Sequence, residues 1–125
     1  MIKNWKTTFL AAAFASISTI VYADHSDLYG TWSLPGESCD EWDPSESIMV
    51  VTGDRISFLE VGCDIQGEPG LVAEDTFRFK LKCSGIDSGP WDSVLVLQKL
   101  PENMVLQAFE GYEEEYNQRL KHCPH

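Results

Sequence analysis

The sequence predicts an all-β protein: a small antiparallel β-barrel or flattened sandwich of about six to eight strands, stapled by two disulfides. Three observations predict it. Apolar and polar residues alternate at a period of two along most of the chain after residue 23, the mark of half-buried strands. Clusters of turn formers interrupt these runs at short intervals, as in sandwiches and barrels. All four cysteines (Cys39, Cys63, Cys83 and Cys123) fall in the same stretch, and an even cysteine count in a small exported domain reads as disulfides.

The start of the chain reads as an export signal. Lys3 and Lys6 supply a short positive start, residues 7–22 carry no charge, and Val21-Tyr22-Ala23 forms a small-residue cleavage box. The expectation is a cleaved signal peptide over residues 1–23 and a single disulfide-bonded domain over 24–125, placed in the periplasm or outside the cell. The apolar stretch is short and no basic stop-transfer cluster follows it, so no retained anchor is expected. Nothing marks a lipid or glycan attachment, since the first cysteine is Cys39 and there is no Asn-x-Ser/Thr sequon.

Strands follow in order. The first is expected over residues 28–33 and the second over 47–52, with Gly53-Asp54 as a tight hairpin turn. Leu59, Val61, Cys63 and Ile65 then alternate against Glu60, Gly62, Asp64 and Gln66. Residues 76–83 alternate most clearly: Phe77, Phe79, Leu81 and Cys83 take one face, Thr76, Arg78, Lys80 and Lys82 the other. Two further strands are expected over 93–100 and 104–109. Breaks fall at Gly67-Glu68-Pro69-Gly70, at residues 84–90 and at Pro101-Glu102-Asn103. At the end, Tyr112, Tyr116 and Leu120 suit a helix at i, i+4, i+8, and equally every second inward position of a strand. Local helix formers favour the helix; the need to close a sheet favours a strand over 112–121, which is the expectation.

Four cysteines allow three pairings. A hairpin symmetric about Ala73 places Cys63 opposite Cys83 and leaves Cys39 for Cys123, whereas a turn centred on Gly67 to Gly70 does not. Cys63–Cys83 with Cys39–Cys123 is the favoured reading.

Charge narrows the partners. The chain has 20 acidic and nine basic residues, and all the acids but only seven of the bases lie after residue 23, which leaves a net charge of −13 there. Such a field repels nucleic acid and anionic membrane surfaces and speeds encounter with cationic partners. It also keeps an exported protein soluble. The acids cluster: Asp40, Glu41, Asp43 and Glu46 surround Trp42, and Glu113-Glu114-Glu115 lies between Tyr112 and Tyr116. An aromatic residue among acids can anchor a basic surface, and the same composition suits an ordinary solvated loop.

Little points to catalysis. His25, His122 and His125 sit at the ends of the expected domain, where chains are commonly frayed. His25 and His122 could meet as a loose metal pair if the terminal strands are neighbours. There is no G-x-S-x-G, H-E-x-x-H, phosphate loop or C-x-x-C. With all cysteines paired there is no thiol nucleophile, and no carboxylate pair stands out among 20 acids. Asp40-Glu41-Trp42-Asp43 lacks the spacing of a calcium loop. No enzyme, cofactor or metal is expected. Trp91, after Gly89-Pro90, either caps the core or walls a small apolar pocket at a barrel mouth.

Two resemblances emerge from these residues. Gly30-Thr31-Trp32 resembles the Gly-x-Trp signature of lipocalin-like and avidin-like barrels. The likeness implies that Trp32 closes the barrel floor under an arginine from the last strand, for which Arg119 is the candidate. More broadly, the chain after residue 23 resembles a family of small, exported, uncharacterised bacterial β-domain proteins with four cysteines. Gly30-Thr31-Trp32, Cys39, Glu60-Val61-Gly62-Cys63, the strand ending at Cys83, and Tyr116 through Cys123-Pro124 carry that likeness. Here Arg119 and Cys123 are separated by three residues where the family pattern has them adjacent. The resemblance implies an oxidised β-domain and no particular activity.

The functional expectation is therefore a non-catalytic exported binding protein that meets a basic protein partner through Asp40, Glu41, Trp42 and Asp43. An inhibitor of a cationic, lysozyme-like enzyme fits the charge, size and compartment. The alternatives are a carrier of a small apolar ligand, with Trp91 in the pocket wall, and an envelope assembly component.

Overall fold

The computed structural model describes residues 24–39, 48–114 and 117–124. The expected signal peptide, the acidic set Asp40, Glu41, Trp42 and Asp43, and Tyr116 lie outside the described residues. A 3-10 helix, Ser26–Leu28, precedes the strands β1 (Gly30–Ser33), β2 (Ile48–Val51), β3 (Arg55–Phe58), β4 (Val61–Ile65), β5 (Gly70–Ala73), β6 (Thr76–Gly85), β7 (Trp91–Leu100), β8 (Met104–Phe109) and β9 (Gln118–His122). β1–β4 and β6–β9 close into an eight-stranded antiparallel barrel in which sequential strands are neighbours, and β5 is an extra strand beside β6.

Alternation decides which side chains enter. In β6, Phe77, Phe79, Leu81 and Cys83 are buried while Lys80 and Lys82 face solvent. Met49, Val51, Ile56, Leu95, Leu97, Val105 and Leu120 join them from the other strands, and each is fully buried. An eight-stranded barrel is just wide enough for side chains to fill, and these residues fill it.

The barrel consists of two four-stranded halves, β1–β4 and β6–β9. They meet along two seams on opposite sides, β1 with β9 and β4 with β6. Each seam has its own disulfide. Cys63–Cys83 crosses β4 and β6 directly, and Cys39–Cys123 ties the chain beyond β1 to the end of β9. The pairing is the favoured one, and the β4–β6 register is symmetric about Ala73: Cys63 registers with Cys83 and Ile65 with Leu81. The glycine-rich break at 67–70 follows this register and shifts it by two residues. The Gln66 N–H donates to the Lys80 carbonyl at 2.8 Å, and Gly70 registers with Arg78. Residues 67–69 therefore stand against Phe79 alone, a local bulge in the outer arm. The chain reverses instead at Glu74-Asp75, with Asp75 at φ 61°.

Several expectations shift. Leu28 belongs to the 3-10 helix and not to β1. Leu59 is exposed because the β3–β4 turn occupies Leu59-Glu60, with Glu60 at φ 62°. β6 continues to Gly85 and β7 begins at Trp91, two residues earlier than expected. β5 was not expected. The closing segment is a strand, confined to Gln118–His122.

One barrel end is shut by the 3-10 helix and the residues flanking it. The indole Nε1 of buried Trp32 donates to the Leu28 carbonyl at 2.9 Å, and Leu28 is fully buried. His25 is buried beside them, 2.9 Å from the Thr52 carbonyl through Nε2 and edge-on to Phe79 at 5.2 Å. The expected fraying at His25 is thus corrected: a carbonyl partner satisfies its ring nitrogen and the aromatic packing holds it. Lys99 bonds Asp27 at 3.2 Å from outside.

Candidate binding site at the open end of the barrel

The β3–β4, β6–β7 and β8–β9 connections lie at the barrel end opposite the 3-10 helix. Between them is an apolar cleft of about 250 Å³, lined by Phe58, Val61, Trp91, Phe109, Tyr112 and the Cys63–Cys83 bridge. Register explains the gathering. Phe58 pairs with Val61 across a two-residue turn, and Trp91 pairs with Cys83 at the start of β7. Phe109 ends β8 and stands 5.7 Å from the Phe58 ring and 6.2 Å from the Tyr112 ring.

The rim is apolar and acidic together. Leu59, Ile86, Trp91 and Tyr112 are exposed there, Ile86 at 72% and Tyr112 at 68%. Residues 59–60, 86–90 and 110–114 contain Glu60, Asp87, Glu110, Glu113 and Glu114, and no lysine or arginine. The cations sit on the strands, where acids hold most of them. Arg55 pairs with Asp64 at 2.6 Å, Lys82 with Asp92 at 2.8 Å, and Lys99 with Asp27. Arg78 grips Glu110 at both carboxylate oxygens, 2.6 and 3.0 Å. That hydrogen bonding holds the Glu110 carboxyl below its ordinary range and raises the Arg78 guanidinium. Among the described residues no ion pair reaches Glu60, Asp87, Glu113 or Glu114. The end thus offers apolar area flanked by uncompensated negative charge.

The predicted site residues are scattered. Trp91 lines the cleft. Trp32 lies at the opposite, closed end, and the expected Trp32–Arg119 pair is not made. With Leu120 inward, a period of two sends Arg119 outward and brings His122 to the Trp32 side. His122 registers with Trp32, and their rings meet edge-on at 4.7 Å. The terminal strands are neighbours, yet the two histidines are separately engaged: His25 with the Thr52 carbonyl, and His122 Nε2 3.3 Å from the Tyr29 carbonyl. Among the described residues no three His, Cys, Asp or Glu side chains are grouped to hold a metal, and no helix is long and apolar enough to cross a membrane.

Phe58, Val61, Phe109 and Tyr112 were missed as a group. The signal was present in part, as the end of each apolar run next to a turn, but only the closed register brings those ends to one mouth. Comparison with protein-family models, with curated proteins and with solved structures finds no match in any of the three.

Proposed function

We propose that this chain is a non-catalytic exported binding protein whose open barrel end docks on a basic protein. A cationic wall-degrading enzyme of the lysozyme kind is the partner that suits its charge and size. The observation that carries this reading is the composition of that end: four exposed apolar side chains and, besides the Arg78-bound Glu110, four acids that no ion pair reaches among the described residues, with no cation in the connecting residues 59–60, 86–90 and 110–114. Long-range attraction from such a surface accelerates encounter with a cation, and the apolar rim supplies area for a stable contact. Two disulfides and the signal-like start support export.

Volume favours a protein over a small apolar ligand. Pockets for such ligands run about 300–1,000 Å³ and bury most of the ligand. The barrel interior is filled with side chains, and the cleft, at about 250 Å³, is open to solvent.

The test is inhibition of lysozyme-catalysed cell-wall lysis by the purified protein across a salt series. The expected result is inhibition at low ionic strength that weakens steeply toward high salt. Absence of binding to any of a panel of cationic wall enzymes at low salt contradicts the reading.

A further inference from the structure

We infer that the mouth cleft receives one apolar side chain of the partner, presented between basic residues that the rim acids hold. This rests on the proposed function and specifies the epitope. The cleft has the volume of about eight waters at about 30 Å³ each, room for one large side chain and little more. Its wall is mainly aromatic and aliphatic, from Phe58, Val61, Trp91, Phe109 and Tyr112, with Ser93 beside them. The bridge behind them is covalent, so the wall is set before binding and little ordering is lost. Glu60 follows Phe58 by two residues, Asp87 lies in the β6–β7 loop that leads to Trp91, and Glu113 and Glu114 follow Tyr112. Each wall element thus brings an acid to the rim. Charge complementarity selects basic flanks, and the cleft selects the apolar residue between them. An apolar residue flanked by acids meets repulsion, and a basic stretch without an apolar residue leaves the cleft filled with water.

Three cyclic peptides test this by calorimetry and by amide NMR on the whole exported domain: Lys-Lys-Leu-Lys-Lys-Gly, the same ring with Ala for Leu, and the Leu ring with Glu for every Lys. A cationic lysozyme is titrated in parallel. The basic Leu ring is expected to bind about tenfold or more tighter than the basic Ala ring, with shifts at Trp91 and Tyr112, while the acidic ring does not bind. Trp91→Ala is expected to bring the Leu/Ala ratio close to one without weakening the Ala ring. Tyr112→Ala, at a strongly exposed position, is expected to lower the same ratio and serves if Trp91→Ala fails to fold. Equal affinity for the two basic rings, or lysozyme binding with no peptide binding, overturns the inference and leaves the basic-partner reading standing. Binding of the acidic ring as tightly as the basic one, or no binding of lysozyme or any ring, overturns both.

Discussion

Cys63 and Cys83 stand directly opposite each other across β4 and β6, their Cα atoms 4.0 Å apart, on the far side of the barrel from the seam that Cys39–Cys123 guards. The two halves are therefore clamped covalently at both of their junctions. Within each half, neighbouring strands are consecutive in the chain, so their connections hold them together. The seams lack that help: β1 has only Trp32 and Ser33 in register with β9. A small domain with a single filled core depends on staples at such places.

Removing either bridge is expected to be costly. The loops span 20 and 84 residues, for which the chain-entropy model gives about 3 and about 4.5 kcal/mol. Paired alanine variants unfolded in urea check both values. Cys39 is exposed while Cys63 and Cys83 are buried, so limited reduction followed by alkylation is expected to label Cys39 and Cys123 first.

Trp32→Ala is expected to destabilise the protein by about 3–5 kcal/mol. It empties the floor, leaves the Leu28 carbonyl without its indole donor and strips His122 of its ring partner. Denaturant titration measures the loss, and a change below about 1 kcal/mol would deny Trp32 its place in the core.

The glycine of the Gly-Thr-Trp motif is expected to be irreplaceable for two reasons. Gly30 has φ 124°, and a Cβ there would come within 2.6 Å of His122 Nε2, in a ring packed on Trp32. Gly30→Ala is expected to cost about 1–3 kcal/mol from backbone strain alone. Gly62→Ala meets the far end of the Arg55 side chain, which can shift at the cost of its exposed ion pair with Asp64, and is expected to cost less; thermal melts of the two variants compare them.

Much of this arrangement was legible in the chain, and the failures fall where alternation carries no information. Alternation in Phe77, Phe79, Leu81 and Cys83 identified β6 and its inner face, and hairpin symmetry about Ala73 pointed to the Cys63–Cys83 pair. Alternation does not say which strands become neighbours. The Trp32 partner was therefore expected to be Arg119, whereas the β1–β9 register presents His122. Leu59 fitted the inward series, yet a two-residue turn at Leu59-Glu60 outweighs its burial. The floor at His25 and Leu28 was invisible because a 3-10 helix of three residues has no periodicity to read. The mouth was invisible for a different reason: its wall comes from β3, β4, β6, β7 and β8 together with Tyr112, and exists only after closure.

Acid is expected to loosen the Arg78–Glu110 contact. The bond to Arg78 lowers the folded-state pKa of Glu110, so the contact contributes fully above the unfolded-state value of about 4.3. It is lost as pH falls through the lowered folded-state value. Carboxyl NMR titration is expected to find Glu110 below the ordinary range in the native protein and back toward it in Arg78→Gln.

An amide NMR titration of isotope-labelled residues 24–125 with unlabelled lysozyme, at low salt and again at high salt, tests most directly whether the barrel mouth docks on a basic protein. Shifts are expected to gather at Leu59, Glu60, Ile86, Asp87, Trp91, Tyr112 and Glu113, and to fade as ionic strength rises. Shifts confined to β5 or to the floor around His25 and Trp32, or shifts at the mouth that ignore salt, would contradict the account.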